Sequence, residues 1–424
     1  MGWGKSIAII GAGPIGMEAA LEASDRGNAV TVYEAGRVGE HLRRFGWVPL
    51  FTPFGMNSTE QGRRRLREAG ASLPGEQEIL SASDLVERYL APLSRLPQLR
   101  AAIRESARVS AIGREGIPKS RGIAAAGDSI RTGRPFLLRV QGDDGGRFES
   151  ADVVIDATGV YGTPKATGPG GLPAIGEERL GGRIERHIPP LRVEAASRFA
   201  GRSILLVGCG HSAATVLAEF DEVARERGGR APADVHWVHR GRAGEPVFAE
   251  ITGDPLPERS RLAARANRAL EARWITPHPR AEVIRYADAP GGKIRATLRA
   301  PSGGERPVDV DLVLSLVGYR PDTSLYRELQ VHLCYASEAP MALATAILSA
   351  GLAAPERAGD CLAQASHGPE TLRNPEPDFY IVGAKSYGRN SSFLLTIGHQ
   401  QILDVFSLIE SEAPAQSGAR TSAA

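Results

Sequence analysis

Twice in this chain an apolar strand ends in a glycine turn and runs on into a helix. The first copy opens with the strand Ser6 to Ile10, turns at Gly11-Ala12-Gly13-Pro14-Ile15-Gly16 and continues as a helix to about Arg26. A second strand, Ala29 to Tyr33, ends at Glu34. Further on, the strand Phe136 to Val140 turns at Gly142-Asp143-Asp144-Gly145-Gly146 and leads to the apolar strand Val153 to Ile155, which stops at Ala157-Thr158-Gly159. The second copy repeats this order with the strand Ser203 to Val207, the turn Gly208-Cys209-Gly210-His211-Ser212-Ala213 and a helix to about Arg227. The strand Val235 to Val238 follows, then a hairpin of Val283 to Tyr286 with Lys293 to Leu298, then the strand Leu312 to Leu316, which stops at Gly318. Strands alternating with helices around such turns predict an α/β fold: two Rossmann-like dinucleotide-binding domains with parallel sheets. The second copy lies inside the first. The expected division is residues 1–165 and 321–412 for the outer domain, 166–320 for the inserted one, and a small, polar, disordered tail, 413–424.

Bulk composition narrows the class. A chain of 424 residues exceeds what one core usually serves, which agrees with two domains. The net charge of +2 supplies no bulk attraction for nucleic acid or a membrane surface, so a small-molecule substrate is expected. The run Arg63, Arg64, Arg65, Arg67 reads as a solvated helix face. Three cysteines, Cys209, Cys334 and Cys361, with no Cys-x-x-Cys, give neither a disulfide framework nor a metal or dithiol site of that spacing. A reducing, cytoplasmic location is the expectation, with no metal. There is no signal-peptide pattern, and no apolar run nears the ~20 residues that span a bilayer. The apolar stretch Met341 to Leu352 reads as a buried helix.

The chemistry of each turn follows from its glycines. Gly11 permits the tight exit from the strand, Gly13 lets backbone approach a pyrophosphate, and Gly16 lets helix pack on strand. Pro14 and Ile15 open the helix, whose free N–H groups and partial positive charge suit phosphates. Glu34 stands where a carboxylate accepts hydrogen bonds from a ribose diol and repels a 2′-phosphate. In the second turn Gly208, Gly210, His211 and Ser212 lead to Ala213, an accepted variant of the third glycine. The strand after it ends in His239-Arg240-Gly241-Arg242 instead of an acid. Arg240 and Arg242 suit a 2′-phosphate, favouring NADPH, unless they are ordinary solvated surface. Cys209, inside the turn, reads as a small filler.

In the order of these motifs the chain resembles the two-dinucleotide-binding-domain flavoproteins, which include thioredoxin reductase-like enzymes, flavin-containing monooxygenases and amine N-hydroxylases. The resemblance implies FAD on the first glycine loop and NAD(P)H on the second. Asp156-Ala157-Thr158-Gly159 looks like the family's crossing between domains, placing Thr158 and Gly159 near the cofactors. Asp378 to Ala384 looks like the strand whose Gly-Asp end binds the ribityl chain; here Gly383 is followed by Ala384-Lys385, so Lys385 would face a phosphate, the flavin edge or an anionic substrate. The cluster Lys385 to Ser392 is expected near the active site, or is a plain polar loop. A helix after Gly398 would point at the flavin, with His399 or Gln400 touching the ring, or with His399 merely part of a capped helix. The stretch Trp47 to Ser58 looks like a wall over the flavin. There Asn57 either stabilises a flavin hydroperoxide or caps the next helix. The monooxygenase fingerprint before the second loop is matched only loosely, by Gly181 to His187 with Leu191 at its aromatic place.

The resulting expectation is an FAD- and NADPH-dependent monooxygenase, transferring oxygen from a flavin C4a-hydroperoxide to a nitrogen or sulfur nucleophile. Asn57, Lys385 and His399 are its candidate catalytic residues. The alternatives are a reductase without oxygen insertion, with Cys334 and Cys361 as a redox pair, and a non-catalytic nucleotide sensor. The family often dimerises, which makes a homodimer an expectation too.

Overall fold

The computed structural model describes residues 4–122, 129–142, 145–191, 198–226, 232–241, 247–353, 362 and 366–411. Its sixteen described strands in chain order are β1 (Ser6–Ile10), β2 (Ala29–Tyr33), β3 (Ile103–Arg104), β4 (Val109–Arg114), β5 (Phe136–Val140), β6 (Arg147–Ala151), β7 (Val153–Asp156), β8 (Ile184–Glu185), β9 (Ser203–Val207), β10 (Asp234–His239), β11 (Ile275–Pro279), β12 (Glu282–Asp288), β13 (Ile294–Arg299), β14 (Glu305–Val310), β15 (Leu312–Ser315) and β16 (Phe379–Ile381). They make two parallel sheets, ordered β16-β7-β1-β2-β3 and β11-β10-β9-β15-β8. The first sheet draws strands from both ends of the chain, and the second lies wholly between them. This is the doubly wound, nested arrangement that the two glycine turns predict.

Both sheets are covered on two faces, so their central strands are buried and largely apolar instead of alternating, with polar residues at strand ends such as Asp156 and Ser203. Every residue of β7 and β9 is buried. One face of the first sheet carries the helices Pro14–Asp25 and Leu395–Ser411, with Met17, Leu21, Val405 and Phe406 in its core. The other face is covered by the antiparallel sheet β4-β5-β6 through Phe136, Leu138 and Val140. The second sheet repeats this design. The helices His211–Glu226 and Pro257–Ala269 cover one face, and the antiparallel sheet β12-β13-β14 covers the other.

Two local readings change. The Met341–Ala353 helix forms, but only Leu343 is buried, while Leu348 and Leu352 are 64% and 72% exposed. Alanine, serine and glycine fill most of it, so its apolar sequence conceals little surface that needs a core. On the helix Glu60–Glu68, Arg64 stays in solvent as expected. Arg63 turns inward, and its guanidinium donates to the carbonyls of Ser58 and Gly55. Arg242, Cys361 and the tail 413–424 lie outside the described residues.

Candidate functional site

The three glycines of the first turn have three separate physical reasons. Gly11 has φ +101°, and a Cβ there would lie 2.8 Å from the Ala157 carbonyl oxygen. A Cβ on Gly16 would lie 1.9 Å from the Gly11 carbonyl oxygen, so helix and strand pack with no room for a methyl. Gly13 has an ordinary φ of −77° and nothing within 4 Å of its Cβ direction. Its missing side chain leaves space open above the helix N-terminus. The second turn repeats the pattern. Gly208, at φ +137°, would place a Cβ 2.3 Å from the Leu316 carbonyl oxygen; Gly210 is open to 4 Å; Ala213 is buried. Each turn is also tied back to the second strand of its own sheet, by Gly11 N–H to Tyr33 O (2.8 Å) and by Gly208 N–H to Val238 O (3.0 Å).

Around the first turn, Glu34 accepts the Ala12 and Gly36 amides at 2.8 Å each, which fixes the carboxylate at the rim of the loop. Ile15 wedges between Gly383 and Gly398, where a Cβ on either would meet its side chain. Gly383 sits at φ +72°, and its amide donates to Gln401 Oε1 at 2.8 Å. Gln401 is buried and also donates to Ser386 Oγ. The expected contact, Gln400, is exposed and donates to Asp404 Oδ1.

The three candidate catalytic residues each have partners inside the fold or a buried place. Lys385 is buried, and its ammonium donates to Asp156 Oδ2 at 2.6 Å and to Thr158 Oγ1 at 3.0 Å. Asp156 lies at the end of the neighbouring strand β7, and a buried carboxylate draws in a buried cation. Thr158 donates its amide and hydroxyl to the same Asp156, while Gly159, at φ +66°, has open space around it. Asn57 is buried in a 3-10 turn with its amide used inside the loop, accepting from Thr52 Oγ1 (2.6 Å) and donating to Thr52 O (2.8 Å). It does not cap the next helix either, since Thr59 does, accepting from Gly62 N–H. His399, in the first turns of Leu395–Ser411, has its Nε2 buried without a hydrogen-bond partner among the described residues. Burial, then the nearby Arg63 charge, pushes its pKa down to about 4.

That shift makes a pH prediction. The unfolded imidazole takes a proton near its ordinary 6.5, whereas the folded one refuses it until about pH 4. Stability is therefore full above 6.5 and falls as pH drops toward 4. His41 and His278, also pushed to about 4 chiefly by burial, steepen the same slope. Thermal midpoints of His399→Leu should decline less than wild type between pH 6.5 and 4; equal declines would refute this assignment.

The stretch Trp47 to Ser58 bridges the two halves. Trp47 Nε1–H donates to Pro189 O at 3.0 Å, and Phe51 packs edge-on against His211, ring centroids 4.9 Å apart. His211 and Ser212 open the second helix, and burial followed by the Arg259 charge holds the His211 pKa below its usual range. A cavity of about 210 Å³ opens beside them, lined by Cys209, Gly210, His211, Phe248, Ile251 and Arg259. Arg240, beyond β10, is exposed.

Sequence reasoning missed the seam between the sheets. The outgoing connection after Gly159 pairs with the return after Gly318 through Lys165 N–H to Gly318 O and Arg320 N–H to Thr163 O, both 2.9 Å. Tyr161 and Tyr319 meet on these connections, centroids 4.7 Å apart, with His41 and Phe45 against Tyr161. His187 Nδ1 lies 2.8 Å from Tyr319 Oη, whose hydroxyl donates to Arg186 O. The available signal was position, since Tyr161 and Tyr319 each closely follow the glycine that ends a central strand.

No protein-family profile matches the sequence, and no curated protein sequence is similar to it. Solved structures do match over nearly the whole chain. The bacillithiol disulfide reductase of Bacillus cereus superposes with a TM-score of 0.67 at 16% identity, covering 96% of this chain and 99% of that one. The FAD-bound cadaverine monooxygenase of Erwinia amylovora gives 0.61 at 12% identity, covering 100% of both. The flavin-containing monooxygenase of Stenotrophomonas maltophilia gives 0.56 at 18%, covering 97% and 100%. At these identities the likeness establishes the fold.

Proposed function

We propose that this chain is an FAD-dependent, NADPH-consuming oxidoreductase, and that it oxygenates a small nitrogen- or sulfur-containing nucleophile. The observation that carries the reading is the pair of open glycine positions, Gly13 and Gly210. Each lies at the start of a helix and at the carboxyl end of a parallel sheet, where a dinucleotide pyrophosphate needs bare backbone. FAD fits the first site. Glu34 would hold its adenosine ribose, the Gly11-to-Gly16 turn its pyrophosphate, and Thr158, Gly159 and Gly383 would flank its flavin side. NADPH fits the second, on Gly208, Gly210, His211, Ser212 and Ala213. Its adenosine end would enter the cavity at Phe248 and Ile251, and Arg240 would meet its 2′-phosphate.

Bound flavin supplies the acceptance of hydride and the activation of oxygen. The chain's own residues bind, orient and keep water out. Phe45, Tyr161 and Tyr319 form an aromatic wall at the seam, and Trp47 and Phe51 anchor the loop beside it. Burial pushes the pKa of His41 down to about 4 and lowers that of His187, and Arg44 is the cation beside them, its Nη1 3.4 Å from His187 Nε2.

One observation favours a second reading, a thiol-linked reductase. The Cys334 thiol is pulled below its usual range by hydrogen bonds from the Ser337 hydroxyl and the Ser337 and Ala336 amides. Anaerobic mixing of FAD-loaded protein with NADPH, followed by air, separates the readings. Bleaching, then recovery through a distinct transient absorbance, is the expected result. Immediate recovery without a transient, together with loss of disulfide turnover in Cys334→Ser, would move the assignment to the reductase. Protein that stays yellow would remove NADPH from the second turn.

A further inference from the structure

Five rings from four segments meet at the seam, and none of them is sealed inside a core. His41 and Phe45 come from the helix Glu40–Arg44 and its end, Tyr161 from the outgoing connection, Tyr319 from the return, and His187 from the segment after β8. Tyr161 has the His41, Phe45 and Tyr319 rings around it, with centroids at 5.9, 5.4 and 4.7 Å. His187 stacks on Tyr319 at 5.4 Å, with 18° between the planes. All five are partly exposed, so each keeps some of its surface in solvent. Rings that pack on one another yet stay uncovered offer a flat apolar ligand a place to lie.

Beside this cluster stands Arg44, exposed at the end of its helix. Its only hydrogen bond among the described residues is from Nη1 to His187 Nε2 at 3.4 Å, and no carboxylate among them pairs with it. Glu40, one helical turn back, pairs with Arg37 at 3.6 Å, and Glu185, two residues before His187, pairs with Arg198. The direction of the hydrogen bonds fixes the state of the histidine. Tyr319 Oη donates its proton to Arg186 O at 2.8 Å, so it can only accept from His187 Nδ1, also at 2.8 Å. Nδ1 therefore carries the hydrogen, and Nε2 is a lone pair that accepts from Arg44. Burial and then the Arg44 charge lower the pKa of this imidazole, in keeping with an acceptor at Nε2. His187 thus orients the guanidinium, and the charge itself is answered by no acid.

We propose that this face recognises the substrate, and that the substrate joins a carboxylate to a flat, apolar body. Arg44 holds the carboxylate, and Phe45, Tyr161 and Tyr319 hold the body. His187 is a positioning residue, which touches Arg44 and not the ligand. A guanidinium with open N–H groups takes a planar oxyanion through paired hydrogen bonds. The ring cluster favours an aromatic body over an aliphatic chain. The inference deepens the proposed function and rests on it for calling the ligand a substrate, which would then be a carboxylate-bearing aromatic amine or thiol. The anion site itself does not depend on that reading.

Calorimetric titration with benzoate, and with benzamide as its neutral counterpart of the same shape, tests it. Wild type, Arg44→Met, Arg44→Lys, His187→Phe and the exposed, Asp309-paired control Arg295→Met are compared, each with and without saturating FAD. Wild type should bind benzoate about tenfold or more tighter than benzamide, the weight of one charge-assisted contact. Arg44→Met should erase that preference and leave benzamide binding as it was, and Arg44→Lys should restore it in part. His187→Phe keeps a ring but removes the acceptor, so it should weaken benzoate and spare benzamide, a split that a merely structural role would not produce. Benzoate bound no better than benzamide by wild type would overturn the proposal, as would an unchanged preference in Arg44→Met or an equal loss in Arg295→Met. Benzoate that binds only in the absence of FAD would give the rings to the flavin and overturn it too. A protein that prefers benzoate through Arg44 but takes up neither FAD nor NADP⁺ sinks only the proposed function. One that bleaches with NADPH and recovers through the transient, yet has no preference for benzoate, sinks only this site.

Discussion

Lys385→Met should lose about 3–5 kcal/mol of stability, because it strands a fully buried carboxylate. Asp156 and Lys385 are 0% and 1% exposed, with 2.6 Å between charged atoms. Asp156→Asn combined with Lys385→Met should recover at least half of the loss. The asparagine oxygen still accepts from the Thr158 amide and hydroxyl, and no net charge is left inside. Urea unfolding of the three proteins is the measurement; a single variant within about 1 kcal/mol of wild type would refute the pair's role. The pair also joins the crossing at Thr158 to the turn at Gly383. Lys385→Met should therefore release FAD more readily than wild type at temperatures where both remain folded.

The glycines of the two turns should divide into two classes. Gly16→Ala and Gly208→Ala place a methyl 1.9 Å and 2.3 Å from backbone carbonyl oxygens, which cannot move aside like a flexible side chain. Overpacking of that kind costs about 1–3 kcal/mol or more, and Gly208 adds the strain of φ +137°. Gly13→Ala and Gly210→Ala meet nothing within 4 Å and should stay within about 0.5 kcal/mol of wild type. They should fail instead in binding, because the new methyl occupies the approach of a pyrophosphate. Gly13→Ala should weaken FAD, and Gly210→Ala NADP⁺, by on the order of 100-fold, which corresponds to about 2.7 kcal/mol. FAD retained through gel filtration and NADP⁺ titration read the two effects separately. Full FAD content in Gly13→Ala would remove the first turn from the site.

The strands, turns and helices at both glycine motifs stand where the sequence puts them, because each is set by short-range rules. An apolar run favours a buried parallel strand, and a glycine before a helix permits the turn. The nested order of the two sheets follows from the order of those motifs. The individual candidate residues fare differently. Asn57 and Lys385 are polar residues in plausible places, yet their partners, Thr52 and Asp156, show no signature in local pattern. Gln400 and Gln401 are neighbours of the same type, and the helix phase alone sends one into the core and the other to solvent.

What the sequence by itself determined is the architecture: two parallel sheets, one nested in the other, each with bare backbone at the start of a helix. Local sterics and hydrophobic pattern suffice for that, since every residue involved lies within a few positions of its cause. Only the tertiary structure decided which charges are buried and which are free. Lys385 finds Asp156 across 229 residues because β16 pairs with β7, and Glu376 gathers Arg114 and Arg131 into a buried cluster because β4 and the segment before β16 meet. The ammonium of Lys165, no different from these in sequence, has no hydrogen-bond partner among the described residues. Burial and pairing depend on which distant segments come to share a face, and that is a property of the packed chain.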